Sequence, residues 1–240
     1  MNMLKVGVLA FQGAFSEHEQ ALEKAFQTMN NTETDSELSL QITEVRVPSH
    51  LDGLDGLIIP GGESTTMSIF LNKNNFKQKL RSMIEGVNGR RTIVWGTCAG
   101  QILLSNTVLC QKTGSQQMIG GVDITTSRNT YGRQCESFES EISTHHEDLQ
   151  QDGVSVCRGI FIRAPGVVSI DDSSVITLAT IGDENTGNKR IVAVQQGNIM
   201  TTSFHPELTE DTRWHTFFLD QILKLRTTSQ SCARSNENII

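Results

Sequence analysis

Apolar and polar positions alternate along the chain with two periods, one typical of strands and one typical of helices. The apolar run Lys5 to Ala10 predicts a first strand. A helix is predicted next, because small and apolar residues recur there at helical spacing: Ala21, Leu22, Ala25 and Phe26. Ser16 and Glu19, three residues apart, have the spacing of a capping box at the beginning of this helix.

The same alternation continues along the chain. Further strands are predicted at Ile42 to Val47, Leu57 to Ile59, Thr92 to Trp95, Phe138 to Ile142, Gly159 to Arg163, Val175 to Ile181, Ile191 to Gln195 and Ile199 to Phe204. Further helices are predicted at Met67 to Leu71, Asn75 to Ile84, Gln101 to Leu104 and Trp214 to Leu225. Strands that alternate with helices favour one α/β domain with a largely parallel sheet, over residues 1–226. The polar residues 227–240 are predicted to form a disordered tail.

One of these strands ends in the sequence Gly96 to Gly100, which reads Gly-Thr-Cys-Ala-Gly. Glycines two residues to either side of Cys98 allow the tight strand–turn–helix elbow on which many hydrolases present a nucleophile. The elbow places the sulfur at a helix N-terminus, where the helix dipole favours the thiolate. Cys98 is therefore the candidate nucleophile for covalent catalysis.

A candidate base follows the extended segment that begins at Ile199. His205 is followed by Pro206 and then by Glu207, so a carboxylate lies two residues beyond an imidazole. A cysteine nucleophile needs a base for its proton, and the base needs a group that fixes its tautomer. A lone His-Pro-Glu is more often structural, but beside the Cys98 elbow it predicts a catalytic pair.

A glycine pair follows a third apolar strand. Leu57 to Pro60 leads into Gly61 and Gly62, and the polar residues that follow can cap a helix. Adjacent glycines can direct peptide N–H groups into a cavity, which is what stabilising a tetrahedral oxyanion requires. Glycine pairs mark ordinary turns more often, so this assignment depends on the other two motifs.

Composition narrows the classes of function. The 240 residues are 37% hydrophobic, which is enough for one sizeable core. The net charge of −7 argues against a surface for nucleic acid or anionic membranes, and no apolar stretch is long enough to span a bilayer. The cysteines are odd in number, at five, and form no C-x-x-C pair, so we expect a reduced, cytoplasmic location.

Along the chain, the glycine pair comes first, then the cysteine, and then the histidine with its glutamate. In this order of motifs the chain resembles the class I (triad) glutamine amidotransferases. Within them it resembles the glutaminase subunits of pyridoxal 5'-phosphate synthase. Four runs carry the closer resemblance: Ala10 to Ala14 with Glu17-His18, Pro60 to Met67, Arg128 to Gln134 and Gly159 to Pro165. The resemblance covers nearly the whole chain and implies a single-domain, flavodoxin-like three-layer sandwich with a mostly parallel central sheet.

The resemblance also implies roles for the motif residues. Cys98 would attack the side-chain amide of L-glutamine, His205 would carry the protons and Glu207 would orient His205. The oxyanion would be bound by the backbone N–H of Ala99 and by the Gly61-Gly62 turn. Glutamine would be contacted by Gly62, Glu63, Ser64, Arg128, Ile162 and Arg163. Such a set is chemically reasonable, because an amino acid needs a cation for its α-carboxylate and acceptors for its ammonium group.

A partner is implied as well. Glutaminases of this kind supply ammonia to a synthase subunit that makes pyridoxal 5'-phosphate, so the resemblance implies a hetero-oligomer. Gln12 lies in a loop that the family places near the active site and the partner, and we expect it to couple the two. The resemblance implies that the chain itself binds no cofactor and no metal. His145 to Asp148 also lacks the spacing of a metal-ligand set.

Two other functions remain open at this point. One is a different cysteine hydrolase on the same kind of sheet, such as a γ-glutamyl peptide hydrolase or a small amidase. The other is a non-catalytic subunit that keeps the fold and only regulates its partner. His18, His50 and His215 have no partners that the sequence reveals, and they are interpreted as structural or exposed.

Overall fold

The computed structural model describes residues 2–32, 38–86, 91–109, 118–128, 130, 137–182 and 187–237. Of the run Arg128 to Gln134, only Arg128 and Thr130 lie among these residues. Within the same ranges, no helix combines the length and the apolar character that crossing a membrane requires.

The strands and helices alternate through the first half of the chain, and strands dominate the second half. The strands are β1 (Asn2–Leu9), β2 (Leu38–Val45), β3 (Gly56–Ile59), β4 (Ile93–Thr97), β5 (Ser105–Leu109), β6 (Val122–Ser127), β7 (Ser137–Thr144), β8 (Val156–Ile162), β9 (Gly166–Ile170), β10 (Ile176–Gly182), β11 (Lys189–Gln196) and β12 (Ile199–Thr202). The helices are α1 (Phe15–Thr32), α2 (Ser64–Leu71), α3 (Phe76–Glu85), α4 (Ala99–Leu104) and α5 (Arg213–Glu237).

The central sheet has the strand order β2-β1-β3-β4-β12-β11-β10-β7-β8. Pairing is parallel from β2 to β12, which confirms the predicted parallel sheet for that part. From β12 to β8 every pairing is antiparallel, so the sheet as a whole is mixed. Because parallel strands end at the same edge, the loops that follow β1, β3, β4 and β12 lie together.

Helices cover both faces of this sheet and create two cores. Residues of α1 and α5 pack with one set of strand side chains, which includes Trp95 of β4. Residues of α2, α3 and α4 pack with the opposite set, which includes Val94 of the same strand. Successive strand residues point to opposite faces, so a strand buried on both sides reads as a continuous apolar run. This arrangement is the three-layer sandwich that the sequence predicts.

Three details differ from the predictions. α1 begins at Phe15, before Ser16, and the Ser16 hydroxyl donates to the Glu17 carboxylate, so a capping box does not begin this helix. A second sheet, β5-β6-β9, was not predicted. α5 continues past Leu225 to Glu237, because neither glycine nor proline interrupts it. The domain boundary after residue 226 stays a prediction, and residues 238–240 lie outside the described ranges.

Candidate active site

Cys98 lies on the predicted elbow between β4 and α4. Its backbone has φ 49° and ψ −103°, a strained conformation for a residue with a side chain, of the kind that folds tolerate mainly at functional sites. The flanking glycines make the turn possible: a Cβ on Gly100 would overlap the carbonyl oxygen of Ile59, and one on Gly96 would lie 2.6 Å from the carbonyl carbon of Gly100. The amide of Cys98 donates to Thr202 at 2.8 Å, which joins the elbow to β12.

His205 and Glu207 lie just beyond β12, where the chain forms a short 3₁₀ turn at Pro206–Leu208. Nδ1 of His205 lies 2.7 Å from Oε1 of Glu207, and both side chains are buried. The His205 amide donates to Ile160 at 2.8 Å, so β8 also holds this turn in place. The imidazole therefore has a fixed orientation with a carboxylate on its Nδ1 side.

The electrostatics of this pair favour a protonated imidazole. Burial alone lowers the pKa of His205, but hydrogen bonds to Cys98 and to Glu207, together with their charges, outweigh burial and raise that pKa to about 10. For the Glu207 carboxyl, burial has the opposite sign and raises the pKa. The neighbouring imidazoles of His18 and His205 outweigh burial, so the net shift of this pKa is downward. The arrangement can hold a thiolate–imidazolium pair with a carboxylate behind it.

The Gly61-Gly62 turn lies directly against these groups. A Cβ added at Gly61 would meet Cε1 of His205 and would come within 3.3 Å of Cβ of Cys98. Gly62 has φ +144°, a backbone conformation that residues with side chains rarely adopt. The predicted oxyanion residues Gly61 and Ala99 therefore both adjoin the nucleophile, since Ala99 follows Cys98 directly as the first residue of α4.

The loop after β1 packs on the same turn. A Cβ on Gly13, which has φ +84°, would overlap the carbonyl oxygen of Gly61. The side-chain amide of Gln12 donates to the backbone carbonyl of Glu63 at 2.6 Å, across the glycine pair. The loop after β1 is therefore in direct contact with the backbone of the glycine turn.

Glu63, Ser64 and Arg128 form a polar group at the beginning of α2. The Glu63 carboxylate accepts from the backbone N–H groups of Thr65 at 3.1 Å and Thr66 at 2.7 Å, so it caps the helix. The guanidinium of Arg128 donates to the hydroxyls of Ser64 and, at 3.3 Å, of Thr65. Arg128 is therefore linked to the residues that follow the glycine turn.

Ile162, the last residue of β8, reaches the nucleophile, and Arg163 follows it in the chain. The thiol of Cys98 lies 3.8 Å from the carbonyl oxygen of Ile162, within hydrogen-bonding range for sulfur. Arg163 has φ 45°, an uncommon left-handed conformation that turns the chain sharply at this point. The structure thus brings every described candidate residue to one edge of the sheet.

Two histidines near this site were interpreted from the sequence as structural or exposed, but they make specific buried contacts beside Glu207. His18 and His215 are fully buried, and Nδ1 of His18 lies 3.0 Å from Nε2 of His215. Nε2 of His18 lies 3.4 Å from the second carboxylate oxygen of Glu207. The signal available in the sequence was Glu17-His18, one of the runs that carry the family resemblance. His50, by contrast, is exposed, as the sequence allowed.

Comparisons with known proteins show the family to which the chain is similar. A family model described as the SNO glutamine amidotransferase family matches residues 8–224. The chain is 37% identical over 234 residues to a probable pyridoxal 5'-phosphate synthase subunit pdx2 of Dictyostelium discoideum. The aligned region covers 92% of this chain and 94% of that protein. It is 38% identical to a probable subunit PDX2 of the same enzyme from Arabidopsis thaliana, with 95% of the chain and 89% of that protein covered.

Solved structures give the same result for the fold. A crystal structure of a glutamine amidotransferase matches with a TM-score of 0.72 at 35% identity, and covers 90% of this chain and 98% of that one. A structure of PurLQS from Thermotoga maritima, 18% identical, matches with a TM-score of 0.59 over 93% of this chain and 99% of that one, and shows the fold alone. The predicted α/β class is confirmed.

Proposed function

The chain belongs to the SNO glutamine amidotransferase family, and from this premise we propose that it hydrolyses L-glutamine to L-glutamate and ammonia for a pyridoxal 5'-phosphate synthase. One observation carries the proposal. His205 is hydrogen-bonded to Glu207 at 2.7 Å, and its ring lies with Cys98 against the same glycine, Gly61, so candidate nucleophile, base and orienting carboxylate are close neighbours. This is the arrangement that thioester chemistry requires.

The reaction follows from the positions of these groups. The Cys98 thiolate attacks the side-chain amide carbon of glutamine, and the carbonyl oxygen becomes an oxyanion. Backbone N–H groups of Ala99 and of the Gly61-Gly62 turn would stabilise that charge. The imidazolium of His205 protonates the departing nitrogen, so ammonia leaves and a γ-glutamyl thioester remains.

Water then completes the cycle. His205, now neutral, removes a proton from the attacking water, and the second tetrahedral intermediate collapses to release glutamate and the thiolate. Glu207 fixes the imidazole tautomer and stabilises the imidazolium each time it forms. The raised pKa of His205, about 10, supports a protonated acid at neutral pH for the first half of the cycle.

Substrate recognition is assigned to the polar group beside the glycine turn. The Arg128 guanidinium supplies a cation suited to the α-carboxylate of glutamine, and its contact with Ser64 keeps it near the turn. Gly62, Glu63, Ile162 and Arg163 complete the proposed set. Glu63 has a second function, because its carboxylate already caps α2, so loss of that side chain would also affect the helix.

The partner is proposed to be the synthase subunit that uses the ammonia. Support comes from relatives whose names describe subunits of pyridoxal 5'-phosphate synthase. Gln12 is the proposed link to the partner, because its hydrogen bond to Glu63 connects the exposed loop after β1 to the glycine turn. A partner that contacts this loop could organise the oxyanion site before glutamine is cleaved.

The test is glutamate release from L-glutamine by the natural chain, with and without the synthase subunit. We expect release that rises with the partner and is abolished in Cys98→Ala. A Gln12→Ala variant should keep the low rate of the free chain and lose most of the increase. A folded chain that binds the synthase subunit but releases no glutamate would instead indicate a regulatory subunit.

A further inference from the structure

One of the two carboxylate oxygens of Glu207 has no role in the proposed catalytic triad. Oε1 of Glu207 pairs with His205, while Oε2 is buried and lacks a hydrogen-bond partner of good geometry among the described residues. Nε2 of His18 lies 3.4 Å from this second oxygen. A buried carboxylate oxygen left without a donor is costly, so this contact requires an explanation.

The positions of the protons follow from the contacts of His18 and His215. Nδ1 of His215 is buried and has no partner among the described residues, which favours leaving that nitrogen unprotonated. The proton of His215 then lies on Nε2 and is donated to Nδ1 of His18 at 3.0 Å. His18 consequently carries its own proton on Nε2, which faces Oε2 of Glu207 and the Thr97 hydroxyl at 3.2 Å.

The opposite tautomers conflict with the same contacts. If His18 donated from Nδ1, its Nε2 lone pair would face the negative oxygen of Glu207. His215 would then need a proton on Nδ1, where the described residues offer no acceptor. The first arrangement leaves the Nδ1 lone pair of His215 without a donor, which costs less than a buried N–H without an acceptor, so the contacts favour the first direction for the donors.

We propose that His18, held by His215, is a positioning residue that donates its Nε2 proton to the second oxygen of Glu207 and so fixes the carboxylate that orients His205. The proposal rests on the glutaminase function proposed above. A carboxylate anchored through one oxygen can rotate, whereas one anchored through both presents a fixed plane to the imidazole. His18 acts through Glu207 and touches no reacting atom.

The surroundings keep His18 neutral and in place. Burial lowers the pKa of His18; the charges of Glu207 and Glu17 oppose this shift, and that of His205 adds to it. Burial, and then His18, hold the pKa of His215 well below its ordinary value. From β4, the uncharged Trp95 ring packs edge-on against both imidazoles, with ring centroids 5.6 and 4.9 Å apart. These contacts leave His18 little room to turn.

Three variants test the proposal in the complex with the synthase subunit. His18→Phe removes the donor, and His18→Gln keeps an N–H near the position of Nε2. Phe217→Leu, in the core on the same side of the sheet, is the control for lost stability alone. We expect His18→Phe to lower kcat roughly tenfold with KM within about twofold of the natural value. The acid limb of its kcat/KM profile should move up by about one pH unit, because Glu207 without its donor protonates more readily.

His18→Gln should restore most of kcat and return the acid limb, while Phe217→Leu should lower the melting temperature and leave the limb unchanged. A kcat and a profile for His18→Phe that equal those of the natural chain would overturn the proposal. So would equal losses in the Phe and Gln variants. The natural chain and Cys98→Ala are run alongside: without Cys98-dependent glutamate release, the proposed function fails, and not this inference alone.

A measurement without mutation covers the case in which His18→Phe does not fold. Two-bond ¹H–¹⁵N spectra of the histidine-labelled natural complex report which ring nitrogen carries the proton. We expect neutral Nε2–H tautomers for both His18 and His215. An Nδ1–H tautomer at His18 would overturn the proposal, because no proton would then face Glu207.

Discussion

A single methyl group at Gly61 should disable the site while leaving the fold intact. Gly61 is not among the glycines with left-handed backbone, so alanine is conformationally acceptable there. Its Cβ, however, would lie 2.4 Å from Cε1 of His205, where ordinary contact begins near 3.4 Å. The imidazole or the turn must therefore move by about 1 Å. A misplacement of about that size can cost roughly 100-fold in rate, or about 2.7 kcal/mol of transition-state stabilisation.

The assay is glutamate release coupled to glutamate dehydrogenase, at saturating synthase subunit, with kcat/KM as the result. Gly61→Ala should lower kcat/KM about 100-fold and should unfold within a few degrees of the natural chain. Gly182→Ala is the matched control, because a Cβ there meets nothing within 4 Å and Gly182 also lacks a left-handed backbone. If Gly61→Ala keeps kcat/KM within about threefold, His205 does not lie against the glycine turn in the working enzyme, and the reasoning is refuted.

Three further predictions follow from other contacts. Glu207→Gln should lower kcat by about 10²- to 10⁴-fold. It should also move the basic limb of the kcat/KM profile below pH 10, because the lost carboxylate no longer raises the pKa of His205. A basic limb that does not move would contradict the pairing of His205 with Glu207. Arg128→Met should raise KM for glutamine roughly tenfold with little change in kcat, and an effect on kcat alone would place Arg128 outside substrate binding. Asp55→Ala should lower the free energy of unfolding, measured by urea denaturation, by about 3 kcal/mol, because Asp55 is nearly buried and its carboxylate accepts from Arg226 at 3.1 and 2.6 Å. A change below about 0.5 kcal/mol would contradict this.

The parts that could be predicted depend on neighbouring residues. The elbow around Cys98 needs glycines two positions away, and the pairing of His205 with Glu207 spans only two residues. The strands themselves were predicted from their apolar runs, whereas the meeting of Cys98, His205 and Glu207 at one edge of the sheet was not. The roles assigned to these residues stay predictions until they are tested by substitution.

The parts that could not be predicted depend on contacts between distant residues. His18 meets His215 across 197 residues and Thr97 across 79. Apart from the family run Glu17-His18, nothing in the sequence distinguishes a histidine that is a buried partner of a carboxylate from one with an exposed side chain. The geometry of the fold supplies that distinction.

The second sheet was missed for a related reason. β6 alternates buried and half-buried positions, a strand pattern, but its side chains include Asp123 and two threonines. Its partner across the sheet is β9, with Ile124 opposite Ile170, so its stability depends on pairing with a segment far along the chain. Short polar strands of this kind are favoured by their neighbours more than by their own composition.

The central claim is that Cys98 forms a γ-glutamyl thioester, and acid-quenched mass spectrometry of the complex during glutamine turnover tests it most directly. We expect a glutamyl adduct on the peptide that contains Cys98, and we expect it to be absent in Cys98→Ala. Steady glutamate release with the adduct on another cysteine, such as the buried Cys157, would contradict the account. Release that continues in Cys98→Ala would contradict it as well.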